Sequence, residues 1–351
     1  MSTIKLPGLI DIHVHLRDMG QDQKEDFYSG TCAALAGGFT TVLDMPNNKV
    51  PITTNERLEL KINEARKKTV CDIGFYFCSL GDNLEEFPKV NKKVFGLKLF
   101  LNMTTGGYIL KKEQLKPIYE NWWRKSPILF HSEGEVVNDV LDVVKKIKKR
   151  THFCHISSRF ELTQVIKAKE DGLPVTCGVT PHHLFLTQDD LKTLGPFGVV
   201  KPPLGEKKDK EFLWANLRYV DIFESDHAPH TIEEKKGEIL PSGLPGLETM
   251  LPLLLTAVSE RRLTIEQIIK MCYENPIKLF KIPHDPNSKT IIDTSETYTI
   301  KNEDLKTKCG WSPFDGWKVK GKVKKVILRG KTVFENGKIN VQPGTGKVLN
   351  S

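Results

Sequence analysis

Gly8-Leu9-Ile10-Asp11-Ile12-His13-Val14-His15-Leu16-Arg17-Asp18 is the stretch on which the fold turns. An apolar run leads into two histidines two positions apart. In an extended strand, alternate residues point to the same side, so His13 and His15 are expected to project together, with Asp11 and Arg17 in the same register. Two imidazoles at a strand end can grip a divalent metal, and a guanidinium follows two positions on. Alone, such a pair reads first as a merely polar strand end. It gains weight because four more candidate ligands lie further along, each in or at the end of its own apolar run.

Those runs are 40–47, 72–78, 96–101, 127–131, 151–155, 173–179 and 220–223. Helical stretches separate most of them, among them 24–38, 55–68 and 136–148. Eight short strands alternating with helices predict an α/β fold, a (β/α)8 TIM barrel. Lys98, His131, His155 and Asp226 join His13 and His15 on strands one, four, five, six and eight. Most stand at C-terminal strand ends, where barrels build their active sites. Two more helices are expected at 247–262 and 264–279, the second interrupted at Asn275-Pro276.

Beyond about Ser288 the pattern changes. Residues 318–324 place lysine at every even position, the alternation of a half-buried strand. Asn336-Gly337 predicts a hairpin turn. The expected organisation is a metal-dependent barrel over 1–285, then a small β module over 286–351 packed with the N-terminal residues. Gly344-Thr345-Gly346-Lys347 lacks the spacing of a phosphate loop.

Composition sets outer bounds. The 351 residues are 39% hydrophobic and 27% charged, as in ordinary globular proteins. No stretch approaches the ~20 apolar residues of a membrane span. The N-terminus lacks the regions of a signal peptide, so a cytoplasmic protein is expected. Seven scattered cysteines without a C-x-x-C pair predict free thiols in a reducing compartment. The net charge of +8 comes largely from lysines, as in 145–150, which are expected to be a solvated surface. Neither nucleic acid nor membrane is an expected partner.

Four imidazoles and a carboxylate suit zinc or a similar transition metal and point to a metallohydrolase. Lys98 stands out, because an ammonium in an apolar strand is costly unless it snorkels to water.

These residues lie in a wider resemblance. L-P-G-L-I-D-I-H-V-H-L-R-D (6–18), M-P-N (45–47), G-L-K-L-F-L-N (96–102), P-H-H-L-F-L (181–186), S-D-H-A-P-H-T (225–231) and G-L-P-G-L-E-T-M-L-P-L-L-L-T-A-V-S-E (243–260) are similar to dihydroorotases of the amidohydrolase superfamily. The likeness is closest to the dihydroorotase domain of the animal multifunctional pyrimidine-biosynthesis protein. It implies a zinc-dependent cyclic amide hydrolase of pyrimidine biosynthesis, which interconverts N-carbamoyl-L-aspartate with L-dihydroorotate and water.

The resemblance also implies roles. Lys98 becomes N6-carboxylysine and bridges two Zn2+ ions. His13, His15, Lys98 and Asp226 hold one; Lys98, His131 and His155 hold the other. Asp226 moves the proton between the attacking water and the ring nitrogen. Arg17, Asn47, Thr104 and His230 bind substrate, Arg17 by its planar fork. A homodimer, and association with aspartate transcarbamoylase, are implied as well. The competing reading for Arg17 is a structural ion pair with Asp18 or Asp44. His182, His183 and His227 are read as structural, and Cys154 as packing.

Three departures from the relatives bear on the site. They read C-E-V where this chain has Cys177-Gly178-Val179, which removes a carboxylate. They carry arginine at Lys201 and an aromatic at Thr105, so the role of Lys201 and the closure of the loop at 102–107 are open. The alternatives are another cyclic amidase, such as an allantoinase or hydantoinase, or an inactive scaffold that binds aspartate transcarbamoylase.

Overall fold

In a computed structural model, which describes residues 3–103, 107, 109–123 and 125–351, the expected strands appear in order. β1 (Thr3–Pro7) lies outside the barrel. The barrel strands are β2 (Leu9–Val14), β3 (Phe39–Asp44), β4 (Asp72–Phe75), β5 (Phe77–Cys78), β6 (Leu97–Phe100), β7 (Ile128–His131), β8 (Thr151–Phe153), β9 (Val175–Val179) and β10 (Ile222–Phe223). β4 and β5 are one strand broken at Tyr76, its first half paired with β3 and its second with β6. All these pairings are parallel. The ring closes where Val14 bridges His227 and the His15 amide donates to the His227 carbonyl at 2.8 Å.

The strands are short apolar runs because both faces are covered. One cluster lies between strands and helices, with Leu9, Val42, Phe75, Leu99, Phe130 and Val179 among its members. A second fills the barrel with Ile10, Ile12, Leu43, Tyr76, Leu129 and Ile222, and is closed by Phe280 and Ile282. The expected helix at 264–279 is three pieces: Ile265–Ile269, a π-turn at Lys270–Glu274, and Asn275–Phe280. Pro276 has no N–H to donate, and the wider turn precedes it.

Strict alternation fails at the stretch on which the fold turns. The pairing of β2 with β3 shifts register between Asp11 and Val14. Ile12 packs inside the barrel, yet its neighbour His13 also reaches the cavity. This is a bulge, in which two successive residues serve one face. The Tyr76 hydroxyl donates to the Ile12 carbonyl at 2.9 Å, satisfying a buried backbone group. β2 ends at Val14, and Arg17 has φ 61°, so the extended register expected to run from Asp11 to Arg17 is not kept.

β11 (Lys289–Thr299), β12 (Lys318–Leu328), β13 (Lys331–Glu335) and β14 (Lys338–Ile339) form a separate antiparallel sheet in the order β1-β11-β12-β13-β14. β12 exposes Lys318 and Lys320 and buries Val319 and Val323, as its alternation requires. Asn336 and Gly337 both have positive φ, 48° and 81°, and turn the β13–β14 hairpin. Gly321 is glycine because a Cβ there would stand 2.7 Å from Leu255 of the helix Leu247–Ser259.

Lys149 departs from the expected solvated lysines. It is buried, and its ammonium caps the carbonyls of Tyr119 and Trp122 at the end of the helix Lys112–Asn121. All seven cysteines are free and buried. Among the described residues, no helix is long and apolar enough to cross a membrane. Thr104 and Thr105, and with them most of the loop at 102–107, lie outside the described residues.

Candidate metal centre

The barrel brings all six expected ligands to one cavity. His13, His15, Lys98, His131, His155 and Asp226 line it, together with Arg17, Asn47 and Lys201. They form two groups. Asp226 Oδ1 stands 3.3 Å from His13 Nε2 and 3.1 Å from His15 Nε2. His131 Nδ1 faces His155 Nε2 at 3.1 Å. Lys98 is wholly buried, and its Nζ finds no hydrogen-bonding partner among the described residues. His155 and Asp226 hold positive φ values of 37° and 45°, a conformation seldom adopted by such residues and concentrated at functional sites.

Electrostatics prepares this set for a cation. Burial pushes His15 down to about 3, despite the neighbouring Asp226. Burial also lowers His131 and His155, and Lys98 adds to both effects. Their imidazoles are therefore neutral, the form that ligates metals. Burial works to raise Asp226, but the neighbouring His13 ring and the contact with His15 outweigh it and hold the carboxylate well below its usual range. Two neutral imidazoles facing each other, a buried carboxylate and an orphaned lysine nitrogen suit divalent ions and a carbamate on Lys98. His13, His15 and Asp226 offer ligand atoms within 4.8 Å of one another.

Three of the four ligating rings hold an oxygen with their other nitrogen, while His155 Nδ1 has no partner among the described residues. His13 Nδ1 lies 3.1 Å from Glu224 Oε2, His15 Nδ1 2.7 Å from Asn47 Oδ1, and His131 Nε2 2.9 Å from Glu133 Oε1. Such contacts fix which nitrogen carries the proton and aim the other at the metal. Glu133 and Glu224 were not among the expected site residues. Each stands two positions from a ligand, His131 or Asp226, and that spacing was the available signal. His13, Cys154 and Glu224 form a second cluster of possible ligand atoms. Burial pushes the Cys154 thiol up to about 12, in keeping with its place among the apolar residues of the barrel interior.

Arg17 has the position but not the ion pairs of a structural arginine. Asp44 is engaged by Lys61 at 2.7 Å and the Leu16 amide at 2.8 Å. Asp18 is engaged by Lys68 at 3.0 Å and the Phe27 amide at 3.0 Å. Arg17 Nε donates to the Pro229 carbonyl at 3.3 Å, while buried Nη1 has no partner among the described residues. His230 stands behind it, off the cavity wall, with Nε2 3.3 Å from Arg17 Nη2 and Nδ1 3.3 Å from Lys24 Nζ. Lys201 lines the cavity, with Nζ 3.8 Å from Glu133. His183 hydrogen bonds with Thr180 at 2.7 Å and Pro202 at 3.1 Å. His227 lies 3.3 Å from Glu25. Neither these two nor His182 lines the cavity.

A (β/α)8 barrel with this donor set at its strand ends is a scaffold that can hold divalent metal ions. The amidohydrolase family profile matches residues 4–333, and the chain belongs to that family. Among its relatives, the multifunctional protein CAD of Squalus acanthias is 43% identical over 346 residues, 98% of this chain but 15% of that protein. The multifunctional protein pyr1-3 of Dictyostelium discoideum is 40% identical, and the chain spans 16% of its length. A dihydroorotase of Pyrococcus horikoshii is 39% identical over 371 residues, covering 99% of this chain and 84% of that one. Among solved structures, the L-hydantoinase (dihydropyrimidinase) of Arthrobacter aurescens superposes with a TM-score of 0.94 at 25% identity, covering 99% of this chain and 89% of that one. The inactive dihydroorotase-like domain of a CAD-like multifunctional protein from Chaetomium thermophilum gives 0.86 at 25% identity, with 99% of each chain covered.

Proposed function

We propose that this chain is a dihydroorotase, which closes N-carbamoyl-L-aspartate to L-dihydroorotate and water, and reopens it, in de novo pyrimidine synthesis. The observation that carries this reading is Arg17 Nη1, a buried cationic donor without a partner among the described residues, on the wall of the metal-ligand cavity. A cyclic amide that also bears a carboxylate uses it; a neutral hydantoin does not. The dihydroorotases among the relatives support the same substrate. A silent scaffold has no need of the complete donor set found here.

His13, His15, Lys98 and Asp226 would hold one zinc ion, and Lys98, His131 and His155 the other, with Lys98 carboxylated between them. Bound there, the ions supply a water of lowered pKa and polarise the ring carbonyl. Asp226, held ionised, takes the proton of the attacking water and delivers it to the departing ring nitrogen; ring closure runs the same transfers in reverse. Arg17 orients the substrate carboxylate through its planar fork. Asn47 holds His15, and His230 backs the guanidinium. The chain works in the cytoplasm, a compartment that suits seven buried free thiols. As the resemblance implies, it acts as a homodimer, beside aspartate transcarbamoylase.

The test is metal content and dihydroorotate hydrolysis measured on the same samples, before and after Lys98→Ala, with zinc and bicarbonate supplied. We expect about two zinc ions per chain and turnover, both lost on substitution. Full metal content with turnover of hydantoins or allantoin instead would discard the substrate. A wild-type chain that binds no metal would overturn the enzyme reading.

A further inference from the structure

Glu224 ties the two halves of the metal centre together, and it does so through a space that only a glycine leaves open. β10 pairs with β9 so that Ile222 lies beside Gly178 and Phe223 beside Val179. Ile222 packs inside the barrel, so Glu224, two positions on, points to the same side. Its side chain is wholly buried. One oxygen lies 3.1 Å from His13 Nδ1, and the other accepts the His155 amide. His13 belongs to the group around Asp226, and His155 to the group with His131. The amide that Glu224 accepts belongs to a residue held at φ 37°.

Gly178 sets the condition for this arrangement. A Cβ there would stand 2.6 Å from Glu224 Cδ and 3.1 Å from its Cγ, closer than atoms pack. A wholly buried side chain with both oxygens engaged has nowhere to swing. Any side chain at 178 therefore drives the carboxylate off His13 and His155.

We infer that Glu224 is the residue that positions both halves of the metal centre, and that Gly178 is glycine in order to admit it. The carboxylate that touches both groups follows the eighth barrel strand. This rests on the metal-centre reading above and does not depend on which cyclic amide is turned over.

The prediction is a reciprocal rescue, read as the zinc dissociation constant against a competing chelator. Tm of the metal-stripped proteins monitors folding, and activity is measured separately. Glu224→Gln keeps the shape but leaves one oxygen where two are used. It should weaken zinc about 10- to 100-fold, the range for a lost partner of a metal-bound histidine. Glu224→Ala and Gly178→Ala should do at least as much. Gly178→Glu combined with Glu224→Ala should restore binding to within a few-fold.

Wild-type zinc affinity in Glu224→Gln would overturn the inference, and that variant decides alone if Gly178→Ala does not fold. A double variant no better than Glu224→Ala would overturn the claim about Gly178. Rescue of zinc binding without dihydroorotate turnover in any variant, the unmodified protein included, would support this inference while discarding the substrate.

Discussion

Arg17 carries the most information of any single residue in this chain. The two carboxylates expected to compete for it, Asp18 and Asp44, are held by Lys68 and Lys61, and its buried Nη1 has no partner among the described residues. Lysine at this position keeps the charge but loses the two-pronged fork. A lost hydrogen bond to a charged group is worth about 1.5–3 kcal/mol. Arg17→Lys should therefore raise KM for dihydroorotate roughly 10- to 100-fold, with zinc content unchanged, as steady-state kinetics and metal analysis on one preparation would show. A KM near the wild-type value would remove Arg17 from substrate binding. At this scale the sequence was legible where chemistry forces a residue type: histidines at strand ends, and a lysine with no reason to be buried. It was not legible where a common residue works through another. Glu224 and Glu133 look like any acidic residue beside a strand until the structure places them on His13 and His131. Asn47, expected to meet substrate, lines the cavity and also sets its oxygen on His15.

Elements were readable because both faces of each barrel strand are covered, which leaves an apolar run in the sequence. Their ends were not. β8 and β10 keep only three and two residues in regular pairing, because the chain turns out of the sheet to present His155 and Asp226. The bulge in β2 also breaks the rule by which its histidines were first paired, while still delivering both to the cavity. The helix Leu247–Ser259 gives a prediction at this scale. Glu248, in its first turn, accepts the amides of Lys306 at 2.8 Å and Thr307 at 2.9 Å and so ties the helix to the segment before β12. Burial pushes its carboxyl from the ordinary 4.5 up to about 7. The folded state thus binds this proton more tightly than the unfolded chain does. The contribution is complete below about pH 4.5 and is lost as pH rises through about 7, at most about 3 kcal/mol. Glu248→Gln cannot titrate and should lose that slope. Urea unfolding of the metal-stripped protein and the variant, at about pH 5 and pH 8, would reveal it as a change in their stability difference. An equal difference at both pH values would show that Glu248 ionises without cost.

Across the whole molecule, one end of the barrel carries the chemistry and the other carries a fastening. The Lys347 carbonyl accepts the Ile73 amide at 2.9 Å, and the Leu349 amide donates to the Ile73 carbonyl at 2.7 Å. Asp72 accepts the Lys347 amide at 2.9 Å and pairs with Arg329, which follows β12. The segment from Gly344 to Leu349 is thereby stitched along the start of β4, at the barrel end opposite the metal-ligand cavity. Barrels commonly keep stability and chemistry at separate ends. Gly344-Thr345-Gly346-Lys347, which has no phosphate-loop spacing, acquires a structural reason: a Cβ at Gly346 would stand 2.7 Å from the Cys71 carbonyl carbon. Gly346→Leu should lift this segment from the strand and forfeit its hydrogen bonds with Ile73, Asp72 and Thr69, at about 1 kcal/mol each. Unfolding free energy should fall by about 5 kcal/mol, and Tm by roughly 10 degrees for a chain of this size. Zinc content and KM should stay at their wild-type values, because no metal ligand touches the fastening. Thermal unfolding with metal analysis on the same protein separates the cases. A fall in zinc affinity alongside Tm would mean that the two ends of the barrel are coupled through its strands, and that the histidines depend on the closure of the far end.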